Sequence, residues 1–236
     1  MKEASPHDFW CRVDAMLLIE IESIACPEAQ RVQQCIVEQK VARGGPDVLL
    51  IVEHPPTVTI GVRGQHSDLL MPADDLARRG ITVCAVDRGG QATYHGPGQV
   101  VCYPIVDLRS WKLSAKEYVR GLEETVIRTL AVFEVPAFRQ RGKPGVWTGE
   151  MDKIASVGVR IRNRVTYHGF SLNVDLAHDP CELVISCGMA DVRMVSLNRL
   201  LTHPVSMTDV RSAVRLSFCE VFDVTLEPAI LADVLR

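Results

Sequence analysis

The chain has 236 residues, 47% hydrophobic and 23% charged, with a formal net charge of −3. That supplies a sizeable core for one globular domain or two small ones. Nothing in the weakly acidic balance points to nucleic acid or an anionic membrane surface as the main partner. No apolar run reaches the length of a membrane span. Met1-Lys2-Glu3 leads into polar sequence, without the apolar stretch of a secretory leader. The expected location is therefore the cytoplasm. The eight cysteines (Cys11, Cys26, Cys35, Cys84, Cys102, Cys181, Cys187 and Cys219) are expected to be reduced and mostly small core residues. None forms a Cys-x-x-Cys pair, which argues against a zinc ribbon or a thioredoxin-type motif.

In chain order, Ala15 to Ile21 reads as a strand and Pro27 to about Val41 as a helix, with Pro27 suited to its first turn. Asp47 to Glu53 is a continuous apolar run, expected as a buried strand that ends at Pro55-Pro56. Thr57 to Ile60 is a short strand, followed by a turn at Gly61–Gly64. Ile81–Val86 and Val100–Ile105 are strand-like and flank a polar, glycine-rich stretch, Arg88 to Gln99. Its composition argues for a shaped loop with no apolar face, of the kind that carries binding chemistry. Gly96 within it is expected to let the backbone approach a ligand.

Ser114-Ala115-Lys116-Glu117 is a capping box, and the helix behind it places Tyr118, Leu122, Val126 and Leu130 on one face. The Pro/Gly-rich loop Arg141–Gly145 is the one candidate for a boundary. Lys153–Ile161 and Thr166–Val174 read as a hairpin turning at Asn163. Arg160, Arg162 and Arg164 would share a face if that strand continued through them: a solvated edge, or a docking surface for an acidic protein. A last helix runs from about Thr208 to Phe222, with Val210, Val214, Phe218 and Val221 inward. Strands outnumber helices and lie in hairpin-like runs, so the fold class is α+β, a mixed β-sheet flanked by helices.

Two further segments bear on chemistry. Lys153 opens a strand of small and β-branched residues. An edge lysine that blocks aggregation is the commoner meaning, and an ammonium projecting into a site is the other. Cys187 stands between a strand-like stretch and Gly188, a setting in which a thiol is accessible. Between them, His168-Gly169 interrupts a strand with a glycine that permits close backbone approach.

Together these residues resemble the lipoyl (octanoyl) transferases. The resemblance rests on Glu53-His54-Pro55-Pro56, on Arg88-Gly89-Gly90 with Thr93-Tyr94-His95-Gly96-Pro97-Gly98-Gln99, and on Tyr103-Pro104. It continues through Lys153-Ile154-Ala155, His168-Gly169, Leu172-Asn173 and Cys187-Gly188, in the family's order over roughly residues 47 to 200. Ser186 departs from the pattern, which usually has proline before the cysteine.

The resemblance implies a single catalytic domain over residues 1–236, with the fold of biotin and lipoate protein ligases. It implies Cys187 as the acyl-thioester nucleophile and Lys153 as the group that lowers its pKa and moves protons. It implies an acyl site lined by Arg88, Gly89, Gly90, Gln91, Ala92, Thr93, Tyr94 and His95. Ser156, Val157 and Gly158, and His168, Gly169, Phe170 and Ser171, complete that lining. The implied donor is octanoyl-acyl carrier protein. The implied acceptor is a lysine on a lipoyl domain of a 2-oxoacid dehydrogenase complex or on glycine cleavage H protein. Neither a metal nor another cofactor is implied.

The chemistry is coherent in itself. A thiol of pKa about 8.5 becomes nucleophilic as thiolate, which a nearby ammonium favours. Loop glycines would let backbone amides approach an oxyanion. An apolar slot gains about 0.8 kcal/mol per buried methylene. The thioester is already activated, so no ATP is required. Two rivals stand beside this reading. One is an ATP-dependent lipoate or biotin ligase on the same fold, and the other a non-catalytic binding module. A papain-like hydrolase lacks its local signature around the cysteine.

Overall fold

The computed structural model describes residues 15–185 and 191–235. Ser186, Cys187 and Gly188 lie outside them, as does Cys11. A large mixed sheet is built from β1 (Met16–Ile21), β2 (Val48–Val52), β6 (Gln99–Ile105), β7 (Phe138–Gln140), β8 (Lys143–Trp147), β9 (Asp152–Arg162), β10 (Val165–Asn173), β11 (Arg193–Met194) and β12 (Leu226–Pro228). Its order is β12-β1-β2-β6-β10-β9-β8-β7, with β11 pairing beside β9. A small sheet orders as β4-β3-β5, with β3 (Thr57–Ile60) between β4 (Thr82–Ala85) and β5 (Ala92–His95). The α+β, helix-flanked mixed sheet expected from the sequence is the architecture found.

The central strands are apolar on both faces because both are covered. Leu49 and Ile51 of β2 join the core under α3 (Ala115–Val132) and α4 (Met207–Phe222). Val48, Leu50 and Val52 join the core under α1 (Cys26–Arg43). The capping box forms as expected: Ser114 Oγ accepts from the Glu117 N–H, and the Glu117 carboxylate accepts from the Ser114 N–H. Tyr118, Leu122, Val126 and Leu130 are buried, as are Val210, Val214 and Phe218 on α4. Pro27 sits in the first turn of α1.

The β9–β10 hairpin turns at Asn163 and Arg164, both at positive φ (50° and 72°), and Arg162 pairs with Val165. Arg164 is therefore a turn residue and shares no strand face with Arg160 and Arg162. The Arg141–Gly145 stretch is no boundary: it turns between β7 and β8 and enters the large sheet. Two short helices, α2 (Ala73–Arg78) and α5 (Leu231–Val234), were not expected from the sequence.

The largest departure is the glycine-rich segment. Ala92–His95 forms β5, antiparallel to β3, and all four residues are buried. Ala92 and Tyr94 join an apolar cluster with Val58, Leu76 and Ile81. The segment does bury an apolar face, two residues wide, supplied by alternation along one short strand.

Candidate active site

The two sheets and the start of α1 enclose a cavity with ≈ 610 Å³ of empty space, counted out to its mouth. It brings together Arg88, Gly89, Gly90, Thr93, His95, Ser156, Val157, Gly158, His168, Gly169, Phe170 and Ser171. Gln91, Ala92 and Tyr94 do not line it. Ala92 and Tyr94 are on the opposite face of β5 from Thr93 and His95, and the Gln91 carbonyl accepts from the Gly61 N–H. Residues from elsewhere complete the wall: Cys26, Gln30 and Gln33 of α1, Thr59 of β3, Val86, and Val101 and Tyr103 of β6.

Several glycines serve the approach of protein to protein. Gly89 donates its N–H to the Val159 carbonyl, so that amide is not available to an oxyanion. A side chain on Gly158 would meet the Gly89 carbonyl at 2.9 Å, so Gly158 lets the loop seat on β9. A Cβ on Gly96 would overlap the Tyr94 ring and hydroxyl, and one on Gly169 would overlap the Cys102 carbonyl. Gly96 is therefore required by packing behind β5, which corrects the expectation that it admits a ligand.

Arg88, 9% exposed, is anchored on β3. Its Nε donates to Thr59 Oγ1 at 3.1 Å and its Nη2 to the Thr59 carbonyl at 2.8 Å. His95 Nδ1 lies 2.7 Å from Gln99 Oε1. Gln99 Nε2 donates to Asn173 Oδ1 and to the Tyr94 carbonyl, so Oε1 is the acceptor, His95 carries its proton on Nδ1, and Nε2 is the basic nitrogen. Burial holds His95 well below the usual histidine range. His54, behind Tyr103, donates from Nδ1 to the Ile24 carbonyl and accepts from the Tyr103 hydroxyl at Nε2. Burial lowers its pKa to about 4.

Lys153 is no edge lysine. It is 1% exposed, and β9 is an interior strand. Its Nζ lies 5.4 Å from the centre of the Trp147 ring, a cation–π distance. Gly145, at φ 119°, packs beneath it, where a Cβ would meet Lys153 Cε at 2.6 Å. The Gly145 N–H donates to buried Glu123. Cys187 itself lies outside the described residues. On its N-terminal side, the Ile185 N–H donates to the Asp68 carbonyl. On its C-terminal side, β11 pairs with β9 at Asp152 and Lys153.

Sequence reasoning passed over three features. Asp87, next to the glycine pair, bonds both Tyr167 and His168. Glu123 has no local signal on its helix. Cys26 and Cys84, far apart in sequence, share a hydrogen bond at the cavity wall; that bond and the Arg88 charge pull the Cys84 thiol down, although burial opposes them.

The lipoyl protein ligase A/B catalytic domain matches residues 26–219, and the chain belongs to that family. An octanoyltransferase of Syntrophobacter fumaroxidans is 43% identical over 178 residues, 75% of this chain and 78% of that protein. One of Nitratidesulfovibrio vulgaris is 38% identical over 218 residues, 92% of this chain and 98% of that protein. Within the family the chain groups with the octanoyltransferases and is an acyltransferase. The fold is shared with a bipartite lipoate protein ligase of Thermoplasma acidophilum (TM-score 0.72, 16% identity, 95% of this chain and 91% of that one). It is shared more loosely with biotin protein ligase of Aquifex aeolicus (TM-score 0.52, 13% identity, 89% of this chain and 69% of that one).

Proposed function

We propose that this protein moves an octanoyl group from octanoyl-acyl carrier protein to a lysine of a lipoyl-type domain, by way of a thioester on Cys187. The acceptor domains are those of 2-oxoacid dehydrogenase complexes or glycine cleavage H protein, and the setting is cytoplasmic. The observation that carries the reading is a buried lysine, Lys153, whose strand runs on into the wall of a cavity. A strand a few residues beyond Cys187 pairs with it.

In the first half-reaction the Cys187 thiolate attacks the donor thioester. One carbon–sulfur bond forms, another breaks, and the carrier leaves as its thiol after gaining a proton. In the second, the acceptor amine attacks the acyl-cysteine, an amide forms, and the Cys187 thiol is regenerated. Lys153 stabilises the thiolate by its charge and passes the protons. The acyl chain occupies the cavity, lined by the segments at 88–95, 156–158 and 168–171.

Basic residues at the β9–β10 turn do not serve carrier docking in this reading, because Arg162 and Arg164 lie at the opposite end of β9 from Lys153. The test is intact-mass analysis after mixing with octanoyl-acyl carrier protein, with digestion to locate the adduct. An octanoyl adduct on Cys187, absent in Cys187→Ser, is expected. An adduct on Cys84 instead, or ATP-dependent activity on free octanoate, would overturn the assignment.

A further inference from the structure

β9 and β10 run antiparallel along the cavity, pairing Ser156 with Ser171, Gly158 with Gly169, and Val159 with His168. Lys153 precedes the first of these pairs. The run from Lys153 to Val159 covers roughly 20 Å at about 3.3 Å per residue. Along these two strands His168 is therefore the cavity residue farthest from Lys153.

That end is built in an unusual way. His168 has φ 55° inside a strand, a conformation that non-glycine residues rarely adopt and that rewards a search for its purpose. It breaks the alternation of β10. The rings of Tyr167 and His168 stack at 5.1 Å, on the same side of the strand. Asp87 then bonds both: Oδ1 accepts from His168 Nε2 at 2.9 Å, and Oδ2 accepts from the Tyr167 hydroxyl. Gln33 Oε1 fixes the strained residue by accepting its backbone N–H at 2.7 Å. The Tyr103 ring meets the His168 ring edge-on at 6.0 Å.

These polar groups bond one another, so the wall offers ring surface to whatever fills the cavity. Such a wall suits the end of a hydrocarbon chain, since the Asp87 carboxylate, the Tyr167 hydroxyl and His168 Nε2 are already bonded when the chain arrives. We infer that His168, held by Asp87 and Tyr167, is the far wall of the acyl slot and determines the chain length it accepts. His168 touches the chain, while Asp87 and Tyr167 act through it as positioning residues. This rests on the acyl-transfer reading for the nature of the ligand.

The test is calorimetric binding of free hexanoate, octanoate, decanoate and dodecanoate to the full-length protein. Wild type, His168→Ala, Asp87→Asn and Tyr167→Phe are compared after thermal melts establish that each is folded. Free acids need no reactive thiol, so a failure of Cys187 to acylate would sink the reaction without touching this measurement. His168→Ala should move the optimum to a longer acid and favour dodecanoate over octanoate by roughly tenfold more than wild type does, from about two further buried methylenes. Asp87→Asn should broaden the profile, and Tyr167→Phe, the mildest change, should broaden it less. Identical length profiles in wild type and His168→Ala would overturn the inference, as would a wild type that binds none of the acids. A shifted optimum in His168→Ala with an unchanged profile in Asp87→Asn would remove Asp87 from it.

Discussion

Two regions of the β9–β10 hairpin are built differently. At one, Lys153 is buried beside the Trp147 ring and over a bare glycine. At the other, His168, Asp87 and Tyr167 bond one another. In the proposed reaction the lysine acts on a neighbouring thiolate by its charge, an effect that a low-dielectric setting strengthens. A set of mutually bonded polar groups acts by shape. The contrast implies that changes near Lys153 decide whether acyl transfer occurs, and changes near His168 decide which chain is transferred.

The sharpest way to break this division is Lys153→Met. Transfer should fall by roughly 10²–10⁴-fold, the usual share of a proton-transfer group. A cooperative thermal melt of the variant should establish that the loss is measured on folded protein. Alkylation of Cys187 against pH should shift upward, and coincident curves would remove the electrostatic role. Gly145→Val should come next. It adds a branched side chain at φ 119° that overlaps the Ala155 carbonyl and meets Lys153 Cε, at a cost of roughly 1–3 kcal/mol or more in stability. It should also lower transfer by displacing the lysine. Unaltered kinetics in a destabilised Gly145→Val would mean that the position of Lys153 is not critical.

What was legible in the sequence follows the same line. Strands apolar on both faces, the Ser114 box and the faces of α3 and α4 are local patterns, and local patterns are readable. β5 was not, because a two-residue apolar face among glycines gives too short a period, and its partner strand β3 is supplied by distant sequence. The cavity residues at 88–90, 156–158 and 168–171 could be named from the family resemblance, but their arrangement could not. Nothing in the string says that Thr93 faces the cavity while Tyr94 faces away, or that Asp87 reaches across to a residue on β10. The purpose of Gly96 is hidden in the sequence for a related reason: its obstacle is the Tyr94 ring, visible only once β5 has formed.

A smaller effect tests the aromatic wall behind the cavity. His54 is neutral and buried, with a pKa lowered from 6.5 to about 4, whereas in the unfolded chain it protonates near 6.5. Between these values the unfolded state binds more protons. Stability is therefore lost as pH falls from about 6.5 to about 4 and is fully present above that window, with about 3 kcal/mol at stake. His95 and His168, lowered chiefly by burial, add slope of the same sign. Denaturant unfolding across this pH range should show the decline, and His54→Gln should make it shallower. An equal slope in the variant would assign the acid sensitivity to the histidines of the cavity itself.

The smallest effect is expected at the β9–β10 turn. Arg162 and Glu38 lie 3.3 Å apart, both more than half exposed, and Arg164 is an exposed turn residue. Surface pairs of this kind are worth about 0–1 kcal/mol. Replacing both arginines by alanine should leave the melt nearly unchanged. It should also leave the rate of transfer and its dependence on salt as in wild type, because a carrier that delivers a thioester beside Lys153 has no reason to touch the far tip of β9. Salt titrations of both proteins with octanoyl-acyl carrier protein provide the comparison. Slower transfer with a flattened salt dependence in the double variant would place the carrier at that tip. The donor would then enter past His168, and the assignment of reaction to one end and chain length to the other would have to be reversed.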